Sequence, residues 1–307
     1  MFRTVYLTIF ISLLVSCSQT VARYDERYHN KLHRKGFISQ TISLKNHEVF
    51  YYDNRLENRP TLVLIHGFGA DGKVTWKKQI EALHEDYRII TPDLLWFGKS
   101  ISSAEPSLLA QIDAVASLIQ LIKPNNVHLV GISYGGFVTL GIAALHPKIA
   151  QSITIVDSPG VFMEDEDVKD FNASVGVDDI KDAFVPKNEE ELSRLIDFSF
   201  YKKPYIPNWL LPQILATYFS QHPKEQAVLI DELNQHREKL SGKVKPPLYI
   251  IWGEYDEIFK LEIGRALKDH LEAEMTVIEN AGHAVNVEQA KAFNKALKNW
   301  LDRFHLH

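Results

Sequence analysis

The segment Gly131-Ile132-Ser133-Tyr134-Gly135 constrains the fold of this chain more than any other. Ahead of it, Asn126-Val127-His128-Leu129-Val130 has the composition of a short buried strand. Behind it, residues 136–145 read as an apolar helix that Pro147 ends. A Gly-x-Ser-x-Gly turn between strand and helix holds its serine in sparsely allowed backbone angles, and the glycines remove side chains that would clash there. The pentapeptide alone arises by chance in about one chain in ten of this length, with Gly and Ser each near ~7% of residues. Its weight therefore comes from the flanking elements and from partners elsewhere in the chain.

Those flanks belong to a longer alternation. Residues 37–44 and 48–52 read as two antiparallel edge strands joined at Lys45-Asn46-His47. Residues 61–65, Thr-Leu-Val-Leu-Ile, form a continuous apolar run of the kind found in strands covered on both faces. Helical pattern follows over 76–83, a strand over 87–93, and a helix over 107–122 closed by Pro124. After the serine turn and its helix comes a strand at 152–157. Residues 160–244 then lack a clear buried strand and are rich in acidic and aromatic side chains. The rhythm resumes with a strand at 247–253, a helix near 261–270, a strand at 275–278 and an amphipathic helix over 288–304. This order predicts an α/β fold: a mostly parallel sheet with helices on both faces, and an inserted, mainly helical cap.

Bulk properties narrow the function classes. The 307 residues are 45% hydrophobic and 24% charged, with a net charge of -5, so no basic excess points to nucleic acid. The single cysteine, Cys17, excludes an intrachain disulfide and a cysteine zinc site.

A serine hydroxyl needs a base to take its proton. Of the 13 histidines, His283 stands out in Glu279-Asn280-Ala281-Gly282-His283-Ala284, directly after a strand and on the sheet edge that carries Ser133. The histidine in turn needs an acid to hold its tautomer. Asp256 follows the preceding strand on that edge, while Asp157 and Glu254 are rivals for the same place. The oxyanion of a tetrahedral intermediate needs N–H donors. Tyr134, the residue after the nucleophile, offers one, and Phe68 in the loop His66-Gly67-Phe68-Gly69 offers a second. His66 itself reads as a packed loop histidine, and Asp93 as the organiser of the loop 94–100. In that loop Trp96 and Phe97 are candidates for the substrate pocket, because the loop leaves the catalytic edge.

Together, His66-Gly67-Phe68-Gly69, Pro92-Asp93-Leu94 with Gly98 and Ser100, Gly131 to Gly136, Trp252 to Asp256, and Gly282-His283 resemble the α/β-hydrolase family over about residues 37–305. Within it the chain is most similar to capped esterases and monoacylglycerol-lipase-like members. The resemblance implies Ser133 as nucleophile, His283 as base, Asp256 as orienting acid, and the backbone of Phe68 and Tyr134 as oxyanion hole. It implies no cofactor and no metal. It disfavours dehalogenase and epoxide-hydrolase chemistry, whose members carry an aspartate where Ser133 stands.

The N-terminus adds a location. Met1-Phe2-Arg3 precedes an apolar run from Val5 to Val15, the length of a signal-peptide core and short of a bilayer span. Leu14-Val15-Ser16-Cys17 resembles the lipobox of bacterial lipoproteins, which implies a signal peptide over 1–16, lipidation of Cys17 and a polar tether over 17–36. The hydrolase core is then 37–159 and 245–307, with the cap at 160–244. The expected protein is an enzyme of the bacterial cell envelope, lipid-anchored, the periplasmic side of the outer membrane being one location. The cap aromatics, among them Phe162, Phe171, Phe184, Phe198 and Phe219, favour an apolar ester of moderate size such as a monoacylglycerol. A serine-dependent carbon–carbon bond hydrolase and a non-catalytic binding lipoprotein are the alternatives.

Overall fold

The computed structural model describes residues 19–233, 235, 240 and 244–304. The expected signal peptide over 1–16 and Cys17 lie outside the described residues. Among those described, nine strands form one sheet in the order β1-β2-β4-β3-β6-β7-β8-β9, with β5 (Ile101–Ser102) paired to β2. The N-terminal β1 (Ile38–Leu44) and β2 (His47–Asp53) run antiparallel. The second of these also pairs antiparallel with β4 (Arg88–Pro92), so it lies inside the sheet and not at its edge. From β4 through β3 (Thr61–Ile65), β6 (Val127–Ile132), β7 (Ser152–Val156), β8 (Leu248–Gly253) and β9 (Glu274–Ile278) every pairing is parallel. Parallel neighbours need crossover helices, and these cover both faces.

The two-residue period of a strand distributes the apolar runs between two cores. In β3, Val63 and Ile65 face a core shared with α4 (Leu108–Ile122) and α5 (Tyr134–Leu145). Leu62 and Leu64 face the opposite core, built with α3 (Lys77–Leu83) and α13 (Ala290–Leu301). Between β3 and α3 lies the short α2 (Gly72–Thr75), started by Asp71, whose Oδ1 accepts the Val74 N–H at 2.9 Å.

The expected polar tether is corrected. Residues Thr20–Arg34 form a 15-residue helix, α1, that buries Val21, Tyr28 and Leu32 along one side. Tyr28 and Leu32 join the second core. Overall polarity conceals this stripe, because positions 21, 28 and 32 recur at helical spacing within a mostly polar stretch.

Between β7 and β8 the described chain carries helices α6 (Asp165–Val175), α7 (Ile180–Phe184), α8 (Glu189–Ser199), α9 (Leu211–Tyr218) and α10 (Pro223–Asp231). Phe171, Phe184 and Phe198 join α6, α7 and α8, with ring centroids 5.4–6.0 Å apart. The remaining elements, α11 (Leu261–His270) and α12 (Val285–Glu288), flank β9.

Candidate active site

Ser133 sits between β6 and α5 with φ 53° and ψ -123°, a backbone conformation that side-chain-bearing residues rarely adopt. The strain is over-determined by its neighbours. The Ser133 N–H donates to Val156 O at 2.9 Å, and a Cβ on Gly135 would stand 2.3 Å from Ile65 O. A Cβ on Gly131 would stand 2.2 Å from Gly135 O, so neither glycine tolerates replacement without moving the turn. Gly67 approaches from the β3 loop: a Cβ there would lie 3.1 Å from Ser133 Cβ. That closeness brings the loop carrying Phe68 against the serine. Tyr134 opens α5, where an N–H has no intrahelical acceptor.

His283 follows β9 and is buried, with Nδ1 2.9 Å from Asp256 Oδ2. The other Asp256 oxygen, Oδ1, accepts the N–H groups of Ile258 at 2.8 Å and Phe259 at 3.0 Å. The carboxylate is thus oriented before it meets the imidazole. The rival carboxylates are directed elsewhere. Glu254 Oε2 accepts the Asn280 N–H at 3.3 Å. Asp157 Oδ1 accepts the Gly253 N–H at 2.7 Å, and burial together with nearby Asp256 pushes its pKa well above the usual carboxylate range.

His66 is fully buried. Its Nδ1 donates to Gly67 O at 2.7 Å and its Nε2 accepts the Leu94 N–H at 2.9 Å, which requires the neutral imidazole. Burial pushes its pKa down to about 4, against the opposing pull of the Gly67 carbonyl. It braces the β3 and β4 loops and has no ring nitrogen left for a substrate. Asp93 braces the same region through the N–H groups of Gly72 at 3.1 Å and Lys99 at 3.0 Å. Burial and the charge of Asp71 raise its pKa to about 7.

Ser133 and His283 line one chamber of about 360 Å³, walled by Phe68, Phe184, Phe200, Phe219 and Ile258. A second, nearly filled cavity of about 20 Å³ leads from Ser133 among Tyr134, Phe137, Met163, Phe184 and Phe259. Both are mostly apolar, and Phe68 and Phe184 belong to both. Trp96 and Phe97 line neither, which corrects their expected pocket role. Trp96 is buried with its carbonyl accepting from Gln226 Nε2 at 2.9 Å. Phe97 packs beneath Phe68, with ring centroids 5.0 Å apart. Their loop leaves the sheet edge that carries Ser133, but it folds into the core under Phe68 and leaves the pocket wall to Phe68, Ile258 and residues between β7 and β8.

Glu288 is a residue that sequence reasoning missed. Its carboxylate accepts the N–H groups of Gly282 at 2.7 Å, Tyr201 at 3.1 Å and Lys202 at 2.9 Å. The loop bearing His283 is thereby joined to the segment after α8, and the Ala284 N–H donates to Ser199 O at 2.9 Å beside it. A glutamate in the first turn of a helix signals only a favourable helix start, so its two distant partners, Tyr201 and Lys202, leave no trace in the sequence.

The profile of the alpha/beta hydrolase family matches residues 62–296. Lipase 1 of Psychrobacter immobilis is 28% identical over 263 residues, covering 81% of this chain and 79% of that protein. Human monoacylglycerol lipase ABHD6 is 25% identical over 271 residues, covering 83% of this chain and 79% of its own. Among solved structures, a membrane phospholipase A described as a bacterial virulence factor aligns over 100% of both chains with TM-score 0.80 and 25% identity. The serine turn, the parallel sheet that carries it and these likenesses agree: the chain belongs to the alpha/beta hydrolase family, as an esterase-like member.

Proposed function

We propose that this carboxylic ester hydrolase cleaves apolar, lipid-like esters through an acyl-enzyme on Ser133 while held at a membrane by its N-terminus. The observation that carries the reading is the His283–Asp256 contact of 2.9 Å at the chamber that Ser133 lines. In this mechanism Ser133 Oγ attacks the ester carbonyl as His283 Nε2 takes its proton. Asp256 holds the proton of His283 on Nδ1 and stabilises the imidazolium. The N–H groups of Phe68 and Tyr134 receive the oxyanion, each worth about 3 kcal/mol in the transition state. His283 then protonates the departing alcohol, and water, deprotonated by the same histidine, releases the acid.

The substrate class follows from the walls. Aromatic and aliphatic side chains around the chamber suit an acyl chain, and its volume of about 360 Å³ falls in the range of small-molecule sites. A carbon–carbon bond hydrolase of this fold takes substrates that usually carry a carboxylate, for which a lining Arg or Lys would be needed. Among the described residues, neither lines the chamber. The lipase and monoacylglycerol lipase relatives support the ester reading.

The membrane tether is supported by the apolar run over Val5 to Val15, by Leu14-Val15-Ser16-Cys17, and by the alignment of the membrane phospholipase A over the whole chain. Among the described residues no helix is long and apolar enough to cross a membrane. Lipidation of Cys17 would supply the anchor.

A fluorophosphonate probe tests the nucleophile and separates an enzyme from a binding lipoprotein. The wild type is expected to label and Ser133→Ala to stay unlabelled. Labelling that persists in the variant refutes the assignment. Mass analysis of the mature N-terminus tests the anchor: a lipidated Cys17 is expected, and an intact Met1 would argue against it.

A further inference from the structure

The first turn of α1 lies on the cap. The Thr20 N–H donates to Gln213 Oε1 at 2.8 Å, and Gln213 Nε2 donates to Trp209 O at 3.2 Å. One side chain thus spans the start of α1 and the backbone of Trp209. In the tether reading the mature chain begins at the lipidated Cys17, three residues before Thr20, and three residues reach at most ~11 Å. The lipid on Cys17 would therefore hold this corner of the cap close to the bilayer.

The same corner exposes aromatic and basic side chains. Tyr205 is 91% exposed and Trp209 52% exposed, while Trp76, Trp96, Trp252 and Trp300 are all buried. Lys202 and Lys203 are exposed just before Tyr205. Tyr and Trp with an apolar body and a polar edge, beside lysines, have the composition favoured at the headgroup level of a bilayer. The cluster is also placed to matter. Phe200 and Phe219, which wall the Ser133 chamber, bracket residues 201–218 in the chain. The Phe219 ring lies so close to Gly69 that a Cβ there would stand 2.5 Å from it.

We propose that the Lys202–Trp209 corner of the cap docks on the lipid bilayer that holds the N-terminus, so that a lipid ester enters the Ser133 chamber from the membrane surface. The occupant is a bilayer with anionic headgroups, matched by the exposed Lys202, whereas Lys203 pairs with Asp197 at 2.9 Å. The docking rests on the membrane-tether reading above. Trp209 and Tyr205 insert at the headgroup level, α1 sets the distance between anchor and cap, and Gln213 fixes the two together.

The test uses the full-length chain on vesicles of brominated phosphatidylcholine with phosphatidylglycerol. Sedimentation reads the anchor, and quenching of tryptophan fluorescence reads the docking. Wild type is expected to pellet and to be quenched, and Trp209→Phe to pellet without quenching, because Trp209 is the exposed tryptophan. Protein that fails to pellet overturns the anchor and the docking with it. Protein that pellets with equal quenching in wild type and Trp209→Phe, or with none in either, overturns the docking and leaves the anchor intact. A second arm compares substrates. Tyr205→Ala/Trp209→Ala is expected to keep wild-type rates on a water-soluble short ester and to lose roughly tenfold on a vesicle-borne monoacylglycerol. Equal rates on both would overturn the docking, whereas loss on both would refute the separation of this face from the catalytic groups.

Discussion

Asp256 presents Oδ2 to His283 Nδ1 at 2.9 Å, whereas Asp157, one strand away, gives its Oδ1 to the Gly253 N–H at 2.7 Å. Two carboxylates therefore stand at the same sheet edge with different jobs. Burial and the nearby Asp256 carboxylate raise the Asp157 pKa, which favours its neutral form.

That difference predicts unequal mutants. Asp256→Asn should lower kcat by about 10³–10⁴, because the imidazole loses its tautomer control. Asp157→Asn should stay within about threefold, since asparagine keeps the acceptor for Gly253 and tolerates the positive φ of 43°. Steady-state kinetics on a soluble ester read both. A larger loss in the Asp157 variant would reverse the assignment.

His66 predicts a pH dependence of stability. Its folded pKa of about 4 lies below the unfolded value, so the unfolded chain binds the extra proton between the two. Its stabilising contribution is full above pH ~6.5 and is lost as pH falls toward ~4, by about 2 kcal/mol at pH 5. Asp93, with its pKa raised to about 7, acts with the opposite sign over part of this range but is common to wild type and variant. Urea unfolding at pH 7 and pH 5 should find the advantage of wild type over His66→Asn shrinking by that amount. A pH-independent difference would mean that His66 is not held neutral.

Phe184 separates the chamber from the nearly filled cavity beyond Ser133. Phe184→Ala should open that wall and shift preference from short-chain toward long-chain p-nitrophenyl esters. The same change should lower stability by about 3 kcal/mol, since the ring packs on Phe68, Phe171 and Phe198. An unaltered chain-length profile in a folded variant would mean that the inner cavity receives no acyl chain.

Lys73 links α1 to the end of the loop that carries Phe68. The buried ammonium lies 2.8 Å from Asp25 Oδ1 and also pairs with Asp71, and the same Asp25 oxygen accepts from Tyr218 Oη at 3.0 Å. Burial disfavours the charge, but the two carboxylates more than offset it and raise the Lys73 pKa. Asp25→Asn keeps an acceptor for Tyr218 but removes one counter-charge, so stability should fall by about 1–2 kcal/mol. Thermal unfolding would detect this as a lower Tm, and an unchanged Tm would mean that Asp71 alone satisfies Lys73.

Much of the frame is legible without coordinates because it depends on near neighbours in the chain. The apolar run of β3, the glycines around Ser133 and the proline after α5 act within a few residues of themselves. The order of strands and helices then restricts the sheet to a parallel core, and the serine, aspartate and histidine loops fall on its C-terminal edge. What composition hides is who meets whom across long separations. α1 reads as a polar tether until the cap and core are there to receive Tyr28 and Leu32. Trp96 and Phe97 read as pocket residues until their loop folds under Phe68. Glu288 acquires its three donors, and Asp256 its preference over Asp157, only in three dimensions. The sequence by itself determined the strand–turn–helix that strains Ser133, since local sterics suffice for it. The tertiary structure decided the walls of the chamber, the partner of His283 and the docking of α1 on the cap, because each depends on atoms whose nearness comes from packing alone.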